Sequence, residues 1–130
     1  MAVGGAIGAE ARYGLSLLMP TRPGRFPWGT FTENVLGCLV IGVLMVLITE
    51  VWAAHRLVRP FLGVGLLGGF TTFSTYAVDT RGLLESGAVV TAFVYLAGTL
   101  LCALLAVLTG ATAARILFLR KEIHMVQEER

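Results

Sequence analysis

The sequence predicts an all-α membrane protein with four transmembrane helices, the third of them broken. Of its 130 residues, 56% are hydrophobic and only 14% are charged, whereas about 25% of residues are charged in typical soluble domains. The charges cluster between apolar runs of about the 20 residues that a bilayer requires. These runs lack the alternation of barrel strands, so we interpret them as helices. One run contains two adjacent glycines and several hydroxyl residues, which favours a break there.

The first two apolar runs are separated by a short basic loop. They cover about residues 2–19 and 30–52, and the loop between them holds Arg22 and Arg25. Trp28 stands just before the second run, where an aromatic side chain is typical of the membrane interface. We therefore predict two spans joined by a tight connection.

The start of the second run carries polar residues. Thr30-Phe31-Thr32-Glu33 matches a capping box, in which the Thr30 side chain caps the helix and Glu33 reaches back. Asn34 is the lone amide side chain of the membrane region. Its N–H groups could donate to an anion or to a neighbouring helix, and both roles stay open.

The last two apolar runs cover about residues 61–79 and 87–118, and a charged tail follows at 120–130. We predict one transmembrane domain over residues 1–119. With four spans, both termini lie on one side of the membrane, together with six basic side chains against three on the other. This mild bias favours the termini inside, and it is compatible with a fixed orientation or with insertion both ways.

Small residues recur at helical spacing, as Gly4 and Gly8 show in the first run. Such stripes allow close helix packing in lipid. They could form a dimer seam or pack within one chain. The two cysteines, Cys38 and Cys102, lie inside apolar runs and read as small buried residues. The net charge of +2 is too small and scattered to indicate nucleic-acid binding.

The third run contains the most informative string, Gly68-Gly69-Phe70-Thr71-Thr72-Phe73-Ser74-Thr75-Tyr76. Glycines and hydroxyl residues at this density indicate a broken helix whose freed backbone groups line a cavity or hold an ion. The alternative is a kinked helix whose hydroxyls bond their own backbone. Phe73 and Tyr76 share a helix face, where their ring edges could stabilise an anion or simply pack in a core. Tyr95 and Thr99 form a polar stripe on the fourth span.

Two ionisable residues, Glu10 and Arg12, lie in the first run, and groups of this kind inside a membrane are functional candidates. Glu10 could carry protons. Arg12 could raise the anion concentration at a pore mouth. They do not face each other on one helix, because they are two residues apart.

Three strings together carry a resemblance to a known family. They are GGAIGAEARYG near the start, PWGTFTENVLG in the second run and GGFTTFSTY in the third. The chain closely resembles the CrcB or Fluc family of small fluoride channels, over all four spans in order. The resemblance implies an antiparallel, dual-topology-type dimer in the cell membrane, either a homodimer or a heterodimer with a paired homologous subunit. It implies passive export of fluoride, which lowers the toxic concentration in the cytoplasm, and no enzymatic activity.

The resemblance also implies roles for particular residues. Arg12 matches the vestibule residue, and the backbone carbonyls of Gly68 and Thr71 would hold a central structural sodium ion. The pore residues that carry over, together with the neighbouring hydroxyls of the third run, are Asn34, Phe73, Ser74, Thr75, Tyr76, Tyr95 and Thr99.

Four positions depart from the family pattern. Tyr76 stands where the second aromatic is usually Phe, Glu33 replaces an apolar residue, and Ala103 and Val107 stand where hydroxyl residues are expected. These departures motivate the hypothesis of a second, different subunit. The alternative function is a proton-coupled small multidrug exporter, an antiparallel dimer of another class, which would use Glu10.

Overall fold

The computed structural model describes residues 2–51, 58 and 60–128, with side chains for residues 2–50, 58 and 60–118. Every regular element in this part of the chain is helical. The elements are α1 (Ala2–Leu18), α2 (Trp28–Val46) continued by a π-helical turn (Leu47–Val51), a π-helical segment (Pro60–Leu67), α3 (Gly68–Phe70), α4 (Phe73–Glu85) and α5 (Val89–Glu128). The predicted all-α class is therefore confirmed.

Three helical stretches of the described chain are long and apolar enough to cross a membrane. They are Trp28–Glu50, Pro60–Glu85 and Val89–Phe118, with mean hydropathies of 2.2, 1.3 and 2.3. Large apolar side chains such as Val90 and Leu108 point away from the protein and are 78% and 64% exposed. Lipid is the solvent that makes this exposure favourable, because a contiguous apolar surface of this size is rare on soluble monomers.

Glycines bring α2 and α5 into backbone contact. A Cβ atom at Gly42 would overlap the Val107 carbonyl oxygen, and one at Gly110 would overlap that of Leu39. Small residues are what permit such close helix approach where lipid offers no hydrophobic driving force. The α2–α5 pair is therefore the rigid frame that carries one side of the site.

The glycines of α1 are used within the chain. A Cβ atom at Gly4 would lie 2.8 Å from the Phe61 carbonyl oxygen, and one at Gly8 would overlap the Leu66 carbonyl oxygen. Of the two roles open for this stripe, the structure supports packing inside the subunit. On α5, by contrast, a Cβ atom at Gly98 would meet open space.

The third predicted span, which corresponds to the stretch Pro60–Glu85, is interrupted, as predicted, between Phe70 and Phe73. Thr71 and Thr72 are both extended, with φ and ψ of −80° and 148° and of −143° and 117°. The helix then resumes and continues to Glu85, six residues beyond the predicted end at 79. Local interactions support this extension, because the Thr80 hydroxyl donates to the Tyr76 carbonyl and Arg81 pairs with Glu85 at 2.7 Å.

The predicted capping box at the start of α2 is wrong. The helix begins at Trp28, and Pro27 precedes it without a side-chain cap. The first turn closes instead through the Phe31 amide, which donates to the Pro27 carbonyl at 3.1 Å. Thr30 is thus inside the helix, and its hydroxyl donates to the Asp79 carboxylate at 2.6 Å. A charged acceptor from a distant helix replaces the local partner.

Candidate functional site

A groove of about 220 Å³ opens beside the break in the third span. It is bounded by α2, the break, α4 and α5. Its wall is mainly apolar, with a few polar groups from the break and from α2. The lining residues are Asn34, Cys38, Thr71, Thr72, Phe73, Tyr76, Leu100 and Ala103. We call this space the groove.

The Asn34 side chain stabilises the break. Its amide nitrogen donates to the Thr72 carbonyl at 3.1 Å, and its oxygen accepts from the Thr72 backbone amide at 2.9 Å. Both backbone groups of an extended residue are thereby satisfied inside the fold, as buried polar groups require. Of the two roles open for Asn34, bonding to a neighbouring element is therefore observed, and its place in the groove wall leaves anion contact as a prediction.

The break also frees two backbone carbonyls. In a continuous helix, the Gly68 carbonyl would accept from the Thr72 amide and the Thr71 carbonyl from the Thr75 amide. Here the Thr72 amide donates to Asn34, and the Thr75 amide donates to the Thr72 hydroxyl at 3.1 Å. Among the described residues, no backbone amide takes their place at either carbonyl. Neutral carbonyl oxygens left open in this way suit a hard cation.

Two aromatic rings form one wall of the groove. The centroids of Phe73 and Tyr76 lie 5.6 Å apart, and the ring planes are tilted by 50°. Phe73 is 81% exposed, so its ring faces the open side. The Tyr76 hydroxyl donates to the Leu96 carbonyl at 2.6 Å, which ties α4 to α5. The Tyr76 hydroxyl, which the usual Phe lacks, therefore donates its hydrogen bond within the subunit.

The predicted polar stripe of α5 is buried. Tyr95 is fully buried, and its ring contacts Tyr76 with centroids 5.3 Å apart. The Thr99 hydroxyl, one turn further, is buried and has no hydrogen-bond partner in the described part of the chain. An orphan hydroxyl is costly in an apolar environment. Thr99 therefore keeps an unused donor, but it lines neither the groove nor the polar cavity described below.

A second, polar cavity of about 300 Å³ lies between α1, α2 and α4. It contains one basic side chain, two carboxylates and several hydroxyl groups. The lining residues are Ala9, Arg12, Tyr13, Ser16, Met19, Thr21, Gly29, Thr30, Glu33, Thr75 and Asp79. We call this space the polar cavity. The structure therefore brings the predicted vestibule residue Arg12 together with Thr75, whereas Glu10 lies on the exposed face of α1 and lines neither space.

Two hydroxyls connect the polar cavity to the groove. Thr75 lines the polar cavity and Thr72 lines the groove, and the Thr72 hydroxyl donates to that of Thr75 at 3.0 Å. The Ser74 hydroxyl lies 3.2 Å from that of Thr72. The hydroxyl residues of the third span thus form a polar cluster that reaches both spaces.

Asp79 is a site residue that the sequence reasoning missed. Its carboxylate accepts from Thr30 at 2.6 Å and from the Tyr95 hydroxyl at 3.5 Å, which joins three helices. From the sequence alone, Asp79 is predicted only to end the third apolar run. The available signal was its spacing from Tyr76, because residues three apart are neighbours on a helix.

The fold and these two spaces define a small multi-pass helical membrane protein. The family model described as "CrcB-like protein, Camphor Resistance (CrcB)" matches residues 1–111. The chain belongs to this CrcB family.

The chain is also similar in sequence to proteins that are named as fluoride-specific ion channels. The chain is 62% identical over 115 residues to the fluoride-specific ion channel FluC 2 of Nocardia farcinica, covering 88% of this chain and 82% of that protein. It is 62% identical over 115 residues to FluC 1 of Streptomyces coelicolor, covering 88% and 75%. It is 44% identical over 118 residues to FluC of Paracoccus denitrificans, covering 91% and 94%.

Proposed function

We propose that this chain forms a fluoride-selective channel in the cell membrane and lets fluoride leave the cytoplasm passively. The observation that carries the proposal is the connection of the polar cavity to the aromatic groove through the Thr72 and Thr75 hydroxyls. The membership in the CrcB family and the names of the similar fluoride channels support it. The chemistry is transfer of an ion, with no covalent step, so the protein is not an enzyme.

The groove has the groups that a dehydrated fluoride ion requires. Fluoride is small and strongly hydrated, so its water must be replaced by donors at fixed positions. The Asn34 amide and the hydroxyls of Thr71 and Thr72 stand in its wall as hydrogen-bonding groups, whereas the unused donor of Thr99 is buried outside this lining. The rings of Phe73 and Tyr76 supply positively polarised edges. These groups cost little reorganisation because α2, the break and α4 hold them in place.

The polar cavity would receive the ion first. Its volume of about 300 Å³ holds about ten water molecules at about 30 Å³ each. Arg12 attracts an anion to this space. The ion would then lose water as it passes Thr75 and Thr72 into the groove.

A second subunit would close the groove. One side is open, and Phe73 is exposed there. In an antiparallel dimer, each subunit would contribute one such groove. Each subunit would have four spans, with the 17-residue α1 as the first. The partner is a second copy of this chain or a paired homologous subunit. The departures at Ala103 and Val107 support the second arrangement, because two expected hydroxyls are missing from this chain.

A structural sodium ion fits the open carbonyls of Gly68 and Thr71. Both have lost their helical donors, and sodium prefers neutral oxygen ligands of this kind. The ion would neutralise partial negative charge at the break. Its role would be to stabilise the interrupted helix at the break.

The membrane potential supplies the driving force. Hydrogen fluoride crosses membranes as a neutral acid and ionises in the less acidic cytoplasm. An inside-negative potential then drives the anion outward with about 2.3 kcal/mol per 100 mV. No coupled energy source is required.

The test replaces Phe73 by Ile and measures fluoride efflux from vesicles with an electrode. We expect Phe73→Ile to abolish efflux while the protein elutes as the wild type does, because a branched alkyl group has no polarised edge. Phe93→Ile is the matched control, since Phe93 is an exposed α5 residue outside the groove. Undiminished efflux through Phe73→Ile contradicts the assignment of the groove.

The alternative exporter function has no support in the structure. Glu10 lies on the exposed face of α1, away from the polar cavity. A Glu10→Gln variant is therefore expected to keep its fluoride efflux. If Glu10→Gln instead abolished drug resistance and left fluoride tolerance unchanged, the exporter function would be favoured.

A further inference from the structure

Glu33 is a buried carboxylate that the fluoride pathway described above does not use. It is 2% exposed and lines the polar cavity, one residue before Asn34. No ion pair of the described residues includes Glu33, and its oxygens are not among their fully enclosed, unpartnered atoms, so the carboxylate reaches the space of the cavity. A carboxylate at this depth needs water or another polar partner in the cavity, because burying a charge without hydrogen bonds is strongly unfavourable. Its presence calls for a functional explanation.

The second carboxylate of the cavity is different, because Asp79 is held by Thr30 and by Tyr95. Three charged side chains line the cavity, and two of them are carboxylates against the single Arg12, so the formal charge is −1. Removal of Glu33 would bring this charge to zero. A space through which an anion passes therefore holds one more negative charge than its arginine balances.

We propose that Glu33 sets the fluoride occupancy of the polar cavity, and that its carboxylate keeps this occupancy, and hence the current, below the level the groove can conduct. The inference rests on the proposed channel function. The cavity of about 300 Å³ is large enough for water to solvate the Glu33 carboxylate. An ion that enters this cavity passes close to that charge. Repulsion at this range lowers the anion concentration at the entrance to the groove.

Glu33 lies in the polar cavity, before the residues that contact the ion in the groove. Its position suits it to regulate the arrival of the ion without contacting the ion in the groove. Arg12 and Tyr13 face it from α1 and Asp79 from α4. The donors that replace water lie beyond it, at Thr72 and Asn34. A neutral residue at position 33 would therefore leave the pathway intact and change only the electrostatic potential in front of it.

The experiment measures fluoride currents in planar bilayers, which neutral hydrogen fluoride does not carry. We expect Glu33→Gln to raise the current about two- to tenfold at low ionic strength, as the loss of one nearby repulsive charge predicts. At about 1 M salt the gain should shrink, because the screening length falls to about 3 Å. Glu33→Asp keeps the charge and should retain a current close to that of the wild type.

Two further variants complete the design. Glu85→Gln makes the same chemical change on the exposed end of α4, outside both spaces, and should not alter the current. Glu33→Val is a second neutral variant, to be measured if the Glu33→Gln protein does not fold. An unchanged or lower current in folded neutral variants at low salt overturns the inference.

The outcomes also separate this inference from the proposed function. A wild-type fluoride current that Phe73→Ile abolishes and Glu33→Gln leaves unchanged contradicts only the role of Glu33. A wild type that conducts no fluoride contradicts the channel function, and the inference with it. A gain in Glu33→Gln that persists undiminished at high salt contradicts the electrostatic explanation.

Discussion

The groove and the polar cavity meet at the Thr72–Thr75 hydroxyl pair, and they offer an anion different environments. The groove is mainly apolar, and its polar groups are neutral and mostly paired, as the two hydrogen bonds of Asn34 to Thr72 show. The polar cavity holds Arg12 and two carboxylates. The comparison indicates a division of roles: the cavity sets how much hydrated anion arrives, and the groove replaces its water.

The largest effect is expected from the residue that shapes the groove. Asn34→Ala leaves both backbone groups of Thr72 without a partner, at a cost of about 1–3 kcal/mol for each. We expect fluoride efflux to be lost and the unfolding temperature to fall. Thr49→Ala is a control, because that hydroxyl only bonds the Met45 carbonyl of its own helix. An Asn34→Ala protein with normal efflux would show that the break does not depend on this amide.

A smaller effect is expected at the paired carboxylate of the cavity. Asp79→Asn weakens the charge-assisted hydrogen bonds from Thr30 and Tyr95, each worth about 1.5–3 kcal/mol. The unfolding temperature should fall, and efflux should decrease with it, because these bonds hold α2, α4 and α5 together beside the polar cavity. Glu33→Gln, a neighbouring carboxylate-to-amide change, should act in the opposite direction. Equal changes in both variants would remove the distinction between the two carboxylates.

The smallest effect is expected at Tyr76. Tyr76→Phe removes the hydrogen bond to the Leu96 carbonyl, which should cost about 0.5–1.5 kcal/mol of stability. The ring remains, so efflux should stay near the wild-type value. Thermal unfolding in detergent measures the loss. For the stability measurement, Tyr13→Phe is the matched control, because Tyr13 is 61% exposed. A large fall in efflux would mean that the Tyr76 hydroxyl serves the ion directly.

Much of the fold was predictable from local patterns. Hydropathy located the apolar runs, and the string Gly68-Gly69-Phe70-Thr71-Thr72 located the break, because glycines and hydroxyl residues at this density favour an interrupted helix. The groove residues Asn34, Phe73 and Tyr76 were also identified, and the structure brings them into one space.

The rest depends on contacts between distant residues. The capping-box pattern misled because Thr30 finds a stronger acceptor in Asp79, 49 residues away. The sequence likewise predicts only that Asp79 ends a span, because its hydrogen bonds to two other helices come from residues distant in sequence. The double role of Thr72 and Thr75 as a connection between two spaces likewise needs coordinates, since each hydroxyl alone fits a kinked helix equally well.

Selective fluoride efflux from vesicles tests the central claim most directly. Vesicles loaded with both halides, with the chain reconstituted alone or with a paired subunit, are compared with bare lipid after a potential is imposed. We predict rapid release of fluoride with chloride retained. Release of both ions at equal rates, or of neither beyond the leak of bare lipid, would contradict the claim that dehydrated fluoride passes through the groove.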